Sequence, residues 1–96
     1  MYARVITFQY QPGKIDEALQ IFRESVLPEM RQQAGFQGAT MLADRGNNKV
    51  VGITLWQTEA DLQKSLPSGQ ERFPGVSSHF AVAPIVETYE VAVQEV

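Results

Sequence analysis

The spacing of apolar residues along this chain switches between alternation and steps of three and four. Residues 2–10, YARVITFQY, alternate and are rich in β-branched and aromatic side chains, which predicts a strand. From Lys14 the apolar residues form one stripe of an amphipathic helix: Ile15, Ala18, Leu19, Phe22, Val26 and Met30. Pro28 inside this stripe predicts a kink, because proline lacks a backbone donor, and Gly35 is expected to cap the helix.

The middle of the chain predicts a hairpin followed by a second helix. Residues 36–44, FQGATMLAD, and residues 49–56, KVVGITLW, alternate like strands, and the RGNN between them suits a turn with positive φ. Thr58 is a good N-cap, and the acid three residues later, Asp61, resembles a capping box. We therefore expect a helix over residues 59–66.

Residues 67–84 are rich in turn formers, and residues 85–96, IVETYEVAVQEV, alternate into a last strand. The order is strand, helix, strand, strand, helix, strand. This order predicts a ferredoxin-like α+β fold, in which a four-stranded antiparallel sheet carries both helices on one face.

The strands carry apolar side chains on both faces. In the first strand Tyr2, Ile6 and Phe8 lie on one face, and Ala3 and Val5 lie on the other. The third and last predicted strands also have apolar residues on both faces. A sheet with one solvent-exposed face has alternating apolar and polar residues, and these strands do not. On a monomer, the face away from the helices would therefore expose a large apolar patch that favours association. We expect a homodimer formed through that sheet face.

Composition narrows the class of protein. The 96 residues fit one domain, residues 1–96, and a chain of this size has a marginal core that a second subunit would support. With 44% hydrophobic and 20% charged residues it is typical of globular proteins. The net charge is −3 and no lysine and arginine cluster is present, which argues against nucleic-acid binding.

The sequence also argues against several kinds of site and location. There are no cysteines and one histidine, so neither a thiolate nor a histidine-rich metal site is expected, and we expect no metal. The first residues lack the apolar run of a signal peptide, and no segment is long enough to span a bilayer. We expect a cytoplasmic protein with no membrane partner.

Trp56, the only tryptophan, lies where the third strand meets the second helix. It shares a strand phase with two small residues, Gly52 and Thr54, so a hollow for a ligand between sheet and helices is one interpretation, with Phe22 and Leu19 as the opposite wall. The alternative is that Trp56 simply fills the core.

His79 lies near the end of the long irregular segment, in SSHF. Long loops in small domains are often lids or binding loops, and histidine exchanges protons near neutral pH, so His79 is the candidate catalytic base. A solvated loop histidine is the alternative. Phe73 and Phe80 either line an apolar pocket or anchor this loop.

Two stretches, LPEMRQQAGFQGATML and VVGITLWQTEADLQKS, resemble the antibiotic biosynthesis monooxygenase domain family. The resemblance covers nearly the whole chain and implies a dimeric α+β barrel. The family includes cofactor-free oxygenases of phenolic polyketides, haem-degrading enzymes, isomerase-like members and proteins without known activity, so the resemblance leaves the reaction open.

The resemblance carries over to few residues. Trp56 matches the tryptophan that lines the cavity in both kinds of oxygenase. The haem degraders use an asparagine in the first strand, where this chain has VITF, and a histidine soon after the tryptophan, whereas His79 lies much farther along. Haem degradation is therefore demoted to a further alternative.

The leading hypothesis is a cofactor-independent monooxygenase acting on a small aromatic, phenolic or enolic metabolite. The substrate would contact Trp56, Phe22 and Phe80, and His79 would help to deprotonate it. Two alternatives stay open, namely a non-catalytic module that binds a small molecule or serves a stress response, and a purely structural dimer whose pocket is filled by side chains.

Overall fold

A computed structural model describes residues 1–71 and 84–95 of the chain, with side chains up to Ser65 in the last helix. The strands are β1 (Tyr2–Gln9), β2 (Phe36–Asp44), β3 (Lys49–Trp56) and β4 (Ile85–Glu90). The helices are α1 (Ile15–Ile21), a π-helical segment (Phe22–Val26), α2 (Leu27–Arg31), a short 3-10 turn (Arg45–Asn47) and α3 (Glu59–Glu71).

The four strands form one antiparallel sheet in the order β2-β3-β1-β4. This is the strand order of the ferredoxin-like plan, so the predicted α+β fold is confirmed. In the register Tyr2 pairs with Trp56 on β3 and with Glu90 on β4. These residues mark one end of the sheet, and the β2–β3 turn marks the other.

A π-helical segment ends at Val26, two residues before Pro28, where the sequence predicts a kink. The N–H of Leu27 bonds to the carbonyl of Phe22, five residues back. The helix then ends at Arg31, because the N–H groups of Gln32 and Gln33 reach back only three residues and tighten the last turn.

Gly35 is therefore not the C-cap, which is Gln32. Gly35 has a φ of +80° and its carbonyl accepts a hydrogen bond from the N–H of Gln57 at 2.7 Å. A Cβ at this position would collide with the carboxylate of Asp61. Glycine is needed here both for the backbone conformation and for the approach of α3.

Helix α3 begins where the sequence predicts, at Glu59, but it ends later than predicted. The N–H of Asp61 donates to Oγ1 of Thr58 at 3.1 Å, and the Thr58 hydroxyl donates to the Asp61 carboxylate at 2.9 Å. The helix continues through Pro67 to Glu71, beyond the predicted end at residue 66. Proline removes one backbone donor but its fixed φ is helical, so a helix tolerates it where packing supports the next turn.

The last strand is shorter than predicted. Pairing of β4 with β1 ends where Glu90 meets Tyr2, followed by one hydrogen bond from the N–H of Val91 to the carbonyl of Met1 at 2.9 Å. Residues 91–95 alternate in sequence but have no strand partner among the described residues.

The continuous helix from Ile15 to Arg31 and α3 cover the same face of the sheet. The core between these helices and the sheet has two clusters. The first contains Phe8, Tyr10, Ile15, Ala18 and Val50. The second contains Met30, Trp56 and Leu62, with Tyr2, Phe22, Val26 and Phe36 packed against it. Between them, at the middle of β1 and β3, lie the buried polar residues Arg4 and Thr54.

Candidate functional site

A pocket of about 210 Å³ opens between α3 and the ends of β1 and β4. The described residues that line it are Tyr2, Glu59, Leu62, Gln63, Thr88, Tyr89 and Glu90. A cavity of about 150 Å³ holds benzene, so this pocket has room for one substituted aromatic ring.

The side chains around this pocket differ in exposure. Leu62 is 1% exposed and belongs to the second core cluster, whereas Glu59 and Glu90 are exposed at the rim. The floor is therefore apolar, and the mouth carries two carboxylates.

Arg4 lies directly beside the floor of the pocket and is 3% exposed. Its Nη2 donates to the carbonyl oxygen of Leu62 at 2.6 Å, whereas its Nε has no hydrogen-bond partner among the residues that the structure describes. No carboxylate of the described residues forms an ion pair with it. Burial lowers the pKa of Arg4, but a guanidinium stays protonated in proteins, so a positive charge lies inside the fold.

Arg4 lies between two threonines on the helix-covered face of the sheet. It pairs with Thr54 on β3 and with Thr88 on β4. We call Thr54, Arg4 and Thr88 the polar strip. Thr88 and Leu62 both line the pocket, so a strand neighbour of Arg4 and its hydrogen-bond partner form part of the pocket wall.

Trp56 is completely buried, and its Nε1–H donates to Oγ1 of Thr54 at 3.0 Å. Its ring meets Phe36 edge to face, with centroids 5.5 Å apart. Leu62 belongs to the same core cluster and lines the pocket, so Trp56 supports the pocket from behind. Contact of Trp56 with a substrate stays a prediction.

The wall expected opposite Trp56 is divided between the two clusters. Phe22 packs against the cluster of Trp56, whereas Leu19 packs against the other one. The space expected beside Gly52 is occupied by Met41, since a Cβ on Gly52 would lie 2.9 Å from Sδ of Met41. The room for a ligand thus lies toward β4 rather than above Gly52.

His79, Phe80 and Phe73 lie outside the described residues. Their roles as base and as pocket lining stay predictions.

Sequence reasoning missed Arg4, although a signal was present. The strand phase that includes Tyr2, Ile6 and Phe8 also includes position 4, so a charged residue occurs in a row of core-facing side chains. A long charged side chain on a buried strand face is rare unless it is paired. Glu87 and Glu90 lie on opposite faces of β4, because their partners on β1 are Val5 and Tyr2.

Two further pKa values are displaced. Burial raises the pKa of Tyr10, in the first core cluster, to about 12. A hydrogen bond from the hydroxyl of Tyr89 to the carboxylate of Glu87, at 2.8 Å, raises the pKa of Tyr89. Both tyrosines therefore stay neutral at physiological pH.

Residues 1–71 and 84–95 contain no group of three or more histidine, cysteine, aspartate or glutamate side chains placed to hold a metal. In the same part of the chain, none of the helices has the length and hydropathy needed to cross a membrane.

The model of the antibiotic biosynthesis monooxygenase family matches residues 1–72. This range includes Arg4 and Thr54 of the polar strip and Leu62 of the pocket floor, but not Thr88. The chain belongs to this family. Two uncharacterised proteins of Mycobacterium tuberculosis are also similar, Rv2557 at 27% identity and Rv2558 at 25%, each over 96% of this chain. The chain spans about two fifths of the length of these relatives, 41% and 39%.

Solved structures share the fold of this family member. A monooxygenase from Streptomyces coelicolor, from the gene ActVA-Orf6 and bound to nanaomycin D, superposes with a TM-score of 0.83 at 20% identity, covering 99% of this chain and 90% of that one. SnoaB of Streptomyces nogalater, described as a cofactor-independent oxygenase, superposes with a TM-score of 0.79 at 16% identity, covering 97% and 94%. At these identities the likeness concerns the fold.

Proposed function

We infer that this protein is a cofactor-independent monooxygenase that acts on a small phenolic or enolic aromatic molecule. Its membership of the antibiotic biosynthesis monooxygenase family is the observation that carries the proposal. The fold shared with SnoaB, a cofactor-independent oxygenase, supports it. The pocket between α3 and β4 supplies a space of the size of one aromatic ring.

The chemistry needs no reductant other than the substrate. A deprotonated phenol is electron-rich and passes electrons to O₂. The ring C–H opposite the phenolic oxygen becomes C=O, the O–O bond breaks, and the second oxygen atom leaves as water. The substrate loses four electrons and O₂ gains four, so a phenol and O₂ give a quinone and water.

The protein's part is to orient, desolvate and deprotonate the substrate. In this proposal the ring lies against Leu62, which Trp56 and Phe22 support from behind. His79 accepts the phenolic proton and Phe80 covers the ring.

The proposal includes a second subunit packed on the sheet face away from the helices. Leu42, Ile85 and Tyr89 lie on that face and are each more than half exposed, at 51%, 58% and 51%. Val51, Ile53 and Leu55 add half-buried apolar surface between them. Apolar surface of this extent is typical of an interface between subunits.

Oxygen uptake tests the catalytic proposal. Chelator-treated protein is mixed with a panel of dihydroxybenzenes, and the rate above the protein-free reaction is measured. We expect uptake by the wild type and a loss of about 100-fold or more in His79→Ala, because a general base contributes at least that factor.

Two variants of β4 test whether the pocket is the reaction site. Thr88→Phe places a ring in the pocket and should abolish uptake, whereas Val86→Phe, on the same strand face but not lining the pocket, should retain it. Equal rates in the two variants would exclude this pocket. Saturable binding of the dihydroxybenzenes without oxygen uptake would contradict catalysis and favour the non-catalytic binding module.

Sedimentation tests the second subunit. Ile85 and Val86 are adjacent, are both exposed, and lie on opposite faces of β4. We expect the wild type to sediment as a dimer, Ile85→Lys as a monomer and Val86→Lys as a dimer. A monomeric wild type would contradict the proposal.

A further inference from the structure

The charge on Arg4 has no counter-ion in the described part of the chain. Burial of an unpaired charge is costly, so buried arginines in proteins are normally paired with carboxylates. Here the described partner is one neutral carbonyl, that of Leu62, and Nε has none. A buried cation with an unused donor is the arrangement expected of a receptor for an anionic ligand.

The position of Arg4 fits a receptor in this pocket. Its neighbour across the sheet, Thr88, and its hydrogen-bond partner, Leu62, both line the pocket. Arg4 itself is not among the residues that line the pocket, so contact with a ligand requires the side chains between them to move.

Among the described residues, the other charged and titratable groups that line the pocket are Glu59 on α3, Glu90 and Tyr89 on β4, and Tyr2 on β1. The two carboxylates repel an anion, but they are exposed at the rim, where water and salt screen them. Arg4 is buried, where the lower dielectric strengthens its field. The inner end of the pocket therefore favours a negative charge.

We propose that Arg4 is the anion-binding residue of this pocket, and that the substrate binds as a monocyclic phenolate or enolate with its charged oxygen on Nε of Arg4. This assignment rests on the proposed function for the identity of the ligand as substrate. Arg4 then binds the ring and also holds it in the deprotonated form that reacts with O₂.

The experiment uses para-nitrophenol, because its phenolate absorbs visible light and its neutral form does not. The pH titration of the ligand is recorded free and with saturating protein. An adjacent guanidinium favours the phenolate, so the pKa of para-nitrophenol bound to the wild type should fall by about 1 to 3 pH units. That shift corresponds to roughly tenfold to thousandfold tighter binding of phenolate than of phenol.

Three variants separate the charge of Arg4 from other effects. Arg4→Met should lose the shift, and Arg4→Lys should retain part of it. Arg45→Met is the control, because Arg45 is exposed, pairs with Asp16, and lies in the β2–β3 turn at the other end of the sheet; it should keep the full shift. An unshifted or raised pKa in the wild type, or an equal shift in Arg4→Met, would overturn the proposal.

A comparison within the wild type does not depend on the folding of any variant. At a pH where para-nitrophenol is ionised, it should bind at least about tenfold more tightly than its methyl ether, para-nitroanisole. Equal affinities would contradict an anion site.

Failure of this proposal is distinguishable from failure of the proposed function. A lowered ligand pKa without oxygen uptake leaves the anion site standing and removes the oxygenase. Oxygen uptake that is equally fast in the wild type and Arg4→Met, with no shift of the ligand pKa, leaves the oxygenase standing and removes the role of Arg4.

Discussion

Replacement of Arg4 by methionine should leave the free energy of unfolding almost unchanged. The variant loses one hydrogen bond from a charged donor to the Leu62 carbonyl, worth about 1.5–3 kcal/mol. It also removes a buried charge and an unpartnered Nε–H, whose desolvation costs about 1–3 kcal/mol. The Leu62 carbonyl still accepts from Oγ of Ser65 at 2.6 Å, so no buried acceptor is left without a partner.

The two terms nearly cancel, so we expect the free energy of unfolding of Arg4→Met to lie within about 1 kcal/mol of the wild-type value. For a chain of this size, this limit corresponds to a change in Tm of at most about 4–8 °C. Urea denaturation of wild type, Arg4→Met and Arg4→Lys at one protein concentration measures it. Arg4→Lys keeps the charge with a poorer donor geometry and should be less stable than Arg4→Met. A loss of 3 kcal/mol or more in Arg4→Met, about the cost of breaking a buried ion pair, would refute the view that Arg4 has no internal counter-ion.

Three further predictions concern the framework around the site. Thr54→Val leaves the buried N–H of Trp56 unpartnered and should cost about 1–3 kcal/mol in denaturation, whereas Thr54→Ser should cost less; equal losses would show that the hydrogen bond is unimportant. Gly35→Ala should lower Tm by more than a typical surface substitution, because φ is +80° and the new Cβ meets Asp61; an unchanged Tm would contradict this. The pKa of Tyr10 is raised by burial to about 12, so the folded protein keeps a proton that the unfolded chain loses from about pH 10. Stability should therefore fall as pH rises from about 10 to about 12, and this loss should be smaller in Tyr10→Phe; identical alkaline profiles would contradict the assignment.

The fold was predictable because its determinants are local. Alternation identifies the strands, the stripe from Ile15 identifies the first helix, and the Thr58 hydroxyl marks the start of α3. Where prediction failed, a non-local contact decided the outcome. The local sequence predicts Gly35 as a helix cap, whereas in the structure glycine is needed where Asp61 of α3 approaches. The sequence around Gly35 does not encode this contact.

The site was less predictable than the fold. The sequence predicts that Trp56 either lines a hollow for a ligand or fills the core. Which neighbouring space stays open depends on Met41 of another strand, which occupies the room beside Gly52. Arg4 was visible as a charge in an apolar strand phase. Its significance depends on which groups come near it from α3 and β4, and this is a property of the tertiary structure.

A crystal structure of the wild-type protein with para-nitrophenol, grown at a pH where the ligand is ionised, tests the central claim most directly. The account predicts the ring between Leu62 and Thr88, with its charged oxygen about 2.7–3.2 Å from Nε of Arg4. A ligand bound away from this pocket, or one bound in it while a protein carboxylate occupies Nε of Arg4, would contradict the account.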